Sequence, residues 1–303
     1  MLVTIKGKEC KLFSAPIYGA IIGDIVGSVF EGMIVKGDSF HEAETISCCK
    51  YFSEIHPKLH LGVNIRTFPL FGLENQRFTD DTVLTCAVLY SLVYQIPYSV
   101  SYKLFANTYP EAGYGKFFQE WAKNLDLSVE NQSFGNGAAM RISPIGGLYH
   151  LTRSEIGIIA EEASIPTHGH ANAINAAKAV AKAIHMISHG SSKEQIKEYI
   201  EDNYNYDLNV TTDEYRQNHQ KFVSDAIKTV PVAFRAFLEG NNISETIRKA
   251  ISCGGDTDTT ASIAGALAAA DPRASHDLLS LKNALMKFLD KNITNLLSKT
   301  SIL

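Results

Sequence analysis

Apolar residues along this chain recur mostly at helical spacing, and runs that alternate polar with apolar are nearly absent. Ser14 and Pro16 introduce an apolar stretch over 17–33, proline being tolerated in a first helical turn. Thr79-Asp80 leads into another over 81–95. Thr152 with Glu155 has the spacing of a capping box for 153–164, and Ser192 with Gln195 opens a helix to about 203. Between them, 171–189 is alanine-rich and is followed by Gly190, a plausible C-terminal cap. Further helices are expected over 212–228, 231–239, 243–251, 259–270 and 275–298, the last carrying Leu278, Leu281, Leu285, Phe288 and Leu289 at helical spacing. The one strand signal is Leu2-Val3-Thr4-Ile5, and no alternating run is followed by a hairpin turn. Helix after helix without strands to pair predicts an all-α fold, a compact multi-helix bundle. No linker rich in Pro, Gly or Ser divides it, so the reading is a single domain over 1–303. The poorly patterned stretch is 34–77, polar and irregular, and loops that long in compact proteins are often functional.

One periodicity is unusual. Gly19, Gly23 and Gly27 recur every four residues, and Glu31 continues the row. Residues four apart share a helix face. Each interior glycine costs about 1 kcal/mol relative to alanine, so three of them imply close approach of another backbone. By itself the stripe reads either as a tight helix crossing or as a device that also brings Asp24 and Glu31 to a site.

Composition excludes more than it assigns. Lys and Arg number 28 against 32 Asp and Glu, a formal charge of −4, which leaves no basic surplus for electrostatic nucleic-acid binding. The five cysteines are odd in number and form no Cys-x-x-Cys pair, which argues for a reducing compartment without a disulfide framework or thiolate zinc site. The first residues lack the apolar stretch of a signal peptide, and no run of about 18 apolar residues appears. A cytoplasmic protein with no membrane association is expected.

Two clusters concentrate chemistry: Thr79-Asp80-Asp81-Thr82 and Gly254-Gly255-Asp256-Thr257-Asp258-Thr259-Thr260, each immediately before an apolar helix. Either alone reads as a helix cap, since Thr and Asp are favoured there and acids complement the positive helix end. One cap needs one such residue, however, and a second adjacent carboxylate adds repulsion. If the two clusters converge, their hard oxygen donors suit Mg²⁺ or Mn²⁺, and four carboxylates balance two divalent ions better than one. Ser133-Phe134-Gly135-Asn136-Gly137-Ala138-Ala139-Met140-Arg141 reads either as a backbone cradle for phosphate or as an ordinary tight turn; it is neither a P-loop nor a Rossmann fingerprint. Gly113-Tyr114-Gly115 is another flexible segment. His168-Gly169-His170 resembles a metal pair, but its spacing does not put both side chains on one helix face.

Taken together and in order, these segments resemble the ADP-ribosylglycohydrolase family. The matching motifs are Gly23-Asp24-x-x-Gly27-x-x-x-Glu31, Thr79-Asp80-Asp81-Thr82, Gly113-Tyr114-Gly115, Gly135-Asn136-Gly137-x-x-Met140-Arg141, Thr167-His168 and Gly254-Gly255-Asp256-Thr257-Asp258-Thr259. The resemblance implies an all-α fold with a dinuclear metal site at helix N-termini. It implies two Mg²⁺ ions (Mn²⁺ as the alternative), held by Thr79, Asp80 and Asp81 from one side and Asp256, Asp258 and Thr259 from the other. Glu31 and Asp81 match the family's catalytic carboxylates. Ser133, Phe134, Gly135, Asn136 and Gly137 match the segment holding the diphosphate and adenosine, and Gly115 and His168 match positions near the phosphates and distal ribose. The implied activity is hydrolysis of the glycosidic bond between ADP-ribose and an acceptor, on an ADP-ribosylated protein or a small-molecule conjugate, with a modified nucleic acid as a less favoured substrate. The competing readings are an inactive ADP-ribose-binding or structural member of the family, and a hydrolase of another ribosyl conjugate. One departure stands out: Ala112 occupies the place where the family often has Arg before Gly-Tyr-Gly.

Overall fold

The capping signals mark where helices begin. Thr152 and Ser192 both close reciprocal capping boxes, with Glu155 and Gln195 respectively, and Thr79 Oγ1 accepts from the Asp81 amide. The computed structural model describes residues 1–48, 62–218 and 222–300. Part of the expected long loop (49–61) and part of the expected 212–228 helix (219–221) lie outside the described residues.

In chain order, Leu2–Ile5 (β1) and Lys8–Lys11 (β2) form an antiparallel hairpin. Ala15–Gly27 (α1) follows, and Met33–Lys36 (β3) pairs antiparallel with Glu44–Cys48 (β4). The helices continue as Asp80–Tyr94 (α2), Tyr98–Thr108 (α3), Lys116–Lys123 (α4), the one-turn Gly137–Met140 (α5) and Ser143–Gly146 (α6), Arg153–Ser164 (α7), and Ala171–Ser188 (α8). Lys193–Tyr204 (α9), Thr212–Asn218 (α10), Ala226–Glu239 (α11), Ile243–Ser252 (α12), Thr257–Ala269 (α13), Ser275–Leu285 (α14) and Lys291–Ser298 (α15) complete the order. The fold is mostly helical, as expected, and among the described residues no helix is long and apolar enough to cross a membrane.

Four local expectations are corrected. Two hairpins exist where none was expected: their strands have four or five residues, too short for an alternating signal, and Lys6-Gly7 makes the first turn with φ of 47° and 79°. The 17–33 helix stops at Gly27, because the chain must bury Phe30 against Phe68 and bond Gly32 N to Gly255 O at 2.7 Å. Glu31 is therefore in a turn beyond α1 rather than on its glycine face. The 275–298 stretch is two helices, since Asp290 caps α15 by accepting from Ile293 N. Finally, α11 begins five residues before Pro231, capped by Asp225, and the proline sits inside the helix.

The centre of the fold is the crossing of α1 and α13, every residue of which is buried. A Cβ added at Gly19 would fall 2.2 Å from Gly265 O, at Gly23 2.0 Å from Ala261 O, and at Gly27 2.4 Å from Thr257 O. The two backbones touch along the whole stripe, which is the reason three helix-interior glycines are tolerated. The crossing sets the N-terminus of α13 beside the C-terminal half of α1, and Thr257 Oγ1 donates to Gly27 O at 2.9 Å.

Away from this crossing, Glu239 at the end of α11 collects Thr212 N (3.0 Å), Thr212 Oγ1 (2.6 Å), Arg235 Nε (2.8 Å) and Lys249 Nζ (3.0 Å). Burial pushes this carboxyl up, but the bonds from Thr212, Lys249 and Arg235 outweigh it and hold it at about 2. A carboxyl depressed on folding adds stability that is complete above its unfolded value and lost as pH falls toward the folded one. Glu239→Gln is expected to lower the unfolding free energy at pH 7 by about 2 kcal/mol, with the deficit against wild type shrinking as pH falls from about 5 toward 2. Urea denaturation of both proteins at stepped pH checks this; a deficit that stays constant with pH refutes the ion cluster as its source.

Candidate active site

Asp24, one turn before the end of α1, organises the first acidic cluster. Its Oδ2 accepts from the amides of Thr79 (2.9 Å) and Thr82 (3.0 Å) and from the Thr82 hydroxyl, and its Oδ1 accepts from Thr79 Oγ1 at 2.7 Å. It thus caps α2 from a neighbouring helix and fixes how Asp80 and Asp81 emerge. Asp80 N donates to Ala112 O at 2.8 Å, so the residue standing where the family often has Arg supports the site through its backbone. The second cluster enters through Gly254 and Gly255, whose φ of 71° and 77° are open to glycine at little cost. That tight bend delivers Asp256 as N-cap and Asp258 in the first turn of α13.

The two clusters converge. Asp24, Asp81 and Asp258 each offer a carboxylate oxygen within 4.8 Å of the others, and Glu31, Asp256 and Asp258 do the same. Asp258 belongs to both groups. Thr259 Oγ1 donates to Asp81 Oδ2 at 3.2 Å, and Asn136 Nδ2 donates to Asp256 Oδ2 at 2.8 Å, which ties the 133–137 segment to the cluster. Asp81 Oδ1 is buried without a hydrogen-bond partner. Burial first, and the charge of Asp258 next, push Asp24 up to about 7 and Asp80 up to about 8. The same causes, joined by further carboxylates, raise Glu31 and Asp81 well above the usual range. Burial and then Asp256 do so for Asp258.

This much negative charge in one buried place is stable only with protons or cations inserted. An orphaned carboxylate oxygen among hard donors fits a divalent ion of the Mg²⁺ or Mn²⁺ type. Asp24 is the poorest ligand of the set, because Oδ2 alone already receives three donors.

These carboxylates form one wall of a cavity of about 380 Å³. Glu31, Asp80, Asp81, Asp256, Asp258 and Thr259 line it together with Gly115, Ser133, Gly135, Asn136, Gly137 and His168. Two expected residues do not line it. Thr79 is buried behind the wall, and Phe134 is 55% exposed, its ring 6.1 Å from that of His170. Sequence reasoning missed Lys116, the one Lys or Arg among the described lining residues, and also Phe117, Phe222 and Ser224. Ser224 O accepts from Asn136 N at 2.8 Å. No motif flagged these positions, since Lys116 and Phe117 open α4, Phe222 and Ser224 lie in an irregular segment before α11, and their relation to the site is purely spatial. Gly115, expected as part of a flexible segment, is the N-cap of α4, whose first turn reaches the cavity.

A sequence profile described as ADP-ribosylglycohydrolase matches residues 13–276. The chain belongs to the ADP-ribosylglycohydrolase family. Relatives of this family member include ADP-ribosylhydrolase ARH3 of Mus musculus, 25% identical over 322 residues, covering 85% of this chain and 83% of the mouse protein. ARH3 of Homo sapiens is 24% identical over 321 residues, with 85% and 84% covered. An uncharacterized protein of Archaeoglobus fulgidus is 32% identical over 147 residues, a match spanning 43% of this chain and 47% of that protein. A solved structure titled ADP-ribosylglycohydrolase-related protein complex shares the fold, with a TM-score of 0.56 at 21% identity over 91% of this chain and 98% of that one. Family membership makes the chain a glycohydrolase of ADP-ribosyl bonds in general terms.

Proposed function

We propose that this chain, working as a single domain, is a Mg²⁺-dependent hydrolase that cleaves the glycosidic bond between ADP-ribose and an acceptor on a protein or small molecule. The observation carrying this reading is the convergence of the two acidic helix starts on Asp258, with Asp81 Oδ1 left unpartnered. Asp80 and Asp81 on one side, and Asp256, Asp258 and Thr259 on the other, would hold two Mg²⁺ ions, with Mn²⁺ as a substitute. Thr79, its hydroxyl bonded to Asp24 and to the Asp81 amide behind the wall, would brace Asp80 and Asp81. Bound there, such ions supply Lewis acidity toward the ribose hydroxyls and an attacking water.

The chain's own groups then divide the remaining work. Cleavage at C1″ of the distal ribose builds positive charge at an oxocarbenium-like carbon, which the carboxylate wall favours electrostatically. Glu31 faces the cavity beside Asp256 and Asp258 and is the group placed to move a proton to or from the reacting oxygen. Asn136, through its bond to Asp256, couples ligand binding on the 133–137 segment to the acidic wall. Ser133, Gly135, Gly137, Gly115 and His168 line the part of the cavity that would take the pyrophosphate and ribose, and the exposed Phe134 beside it would stack on adenine. The cavity volume suits a ligand of this size.

Purified protein should release ADP-ribose from at least one of ADP-ribosyl-arginine, ADP-ribosyl-serine and O-acetyl-ADP-ribose, with EDTA abolishing release and simple nucleosides left intact. Binding of ADP-ribose with no conjugate cleaved in Mg²⁺ would instead identify an inactive member. Glu31→Gln is expected to lower turnover by about 10²-fold or more while ADP-ribose still binds. Near-normal turnover of that variant removes Glu31 from the chemistry.

A further inference from the structure

Arg141, Thr167 and His168 form a hydrogen-bonded series that runs from behind the cavity wall to the cavity itself. Arg141 is fully buried, with its guanidinium 4.2 Å over the Tyr102 ring, and Nη2 donates to Thr167 Oγ1. Thr167 Oγ1 in turn lies 2.8 Å from His168 Nδ1. The Thr167 hydroxyl is fully buried and bonded to Arg141, which can only donate, and to His168 Nδ1. It could accept from both, but its own proton would then be buried without an acceptor, so the satisfied arrangement gives that proton to Nδ1. A neutral imidazole that accepts at Nδ1 carries its hydrogen at Nε2. The doubly protonated ring is disfavoured, since burial and then the Arg141 charge hold His168 well below the usual histidine range. The opposite edge of the ring is set by packing: a Cβ on Gly137 would lie 2.8 Å from Nε2 and 2.9 Å from Cε1. Both residues line the cavity.

We propose that Arg141 and Thr167 are positioning residues that lock His168 in its Nε2–H tautomer, making it a fixed neutral donor to an oxygen of the bound ligand. The identity of that ligand rests on the ADP-ribosyl reading above; the tautomer does not. Without the lock, the ring spends part of its time presenting a lone pair to the ligand oxygen, and the bond is replaced by repulsion. Gly137 belongs to the same device, because any side chain there displaces the ring edge.

The test combines long-range ¹H–¹⁵N spectra of histidine-labelled protein with titration calorimetry against ADP-ribose, on wild type, Thr167→Ser and Thr167→Val. His168→Gln assigns the resonances. Wild type and the serine variant should show His168 protonated at Nε2 alone and bind with similar affinity. The valine variant should show a mixed or reversed tautomer and a Kd raised about tenfold. A wild-type His168 protonated at Nδ1, or a valine variant with an unchanged tautomer, overturns the lock, and the wild-type spectrum decides even if the valine variant folds poorly. The expected tautomers with no ADP-ribose binding by any of the proteins would uphold the lock and overturn the substrate reading.

Discussion

Asp258→Asn is expected to lower Mg²⁺-dependent turnover by about 10²–10³-fold while the protein stays folded. Asp258 offers oxygens to both carboxylate groups, and asparagine keeps its shape and its bond from Thr259 N while losing the charge. Calorimetric titration of Mg²⁺ should lose most of its heat. The stability effect should invert with the medium. In EDTA, one fewer buried like charge is expected to raise Tm by about 2 °C, roughly 1 kcal/mol for a protein of this size. In Mg²⁺, wild type gains by binding what the variant cannot hold, so the order reverses. Equal Mg²⁺ stabilisation of both proteins would show that Asp258 is not a ligand. Greater stability on losing a buried charge also separates a functional cluster from a structural cap, whose removal costs stability in any medium.

Gly23→Val should be the most damaging single change to the fold, costing about 4 kcal/mol or more. Even the first atom of a side chain there would lie 2.0 Å from Ala261 O and 2.4 Å from Ala261 C, backbone atoms of a fully buried helix that have nowhere to go. Urea unfolding and Mg²⁺-induced shifts in Tm would both report it, because the crossing that is lost is what sets Asp24 against Thr79 and Asp258 near Asp81. Gly115→Ala is the matched control: its Cβ meets nothing within 4 Å and its φ of −60° suits any residue. A Gly23→Val protein melting close to wild type would refute the backbone contact between α1 and α13.

Local chemistry alone determined a good part of this protein. The capping boxes at Thr152 and Ser192, the acidic starts of α2 and α13, and the all-α character are readable because they depend on residues three or four apart. Motif order carried the family for the same reason, and the glycine stripe announced a crossing without naming its partner. Where Asp24 points, which backbone fills the stripe, how α1 ends so that Glu31 leaves the helix, and that Arg141 meets Thr167 rather than a carboxylate were decided only in three dimensions. Each depends on groups tens to hundreds of residues apart, brought together by burying apolar surface that carries no record in sequence of what it will face. The acidic site is the sharpest case: its carboxylates repel one another, so no local preference assembles them, and only the packing of α1 on α13 holds them within reach of a shared ion.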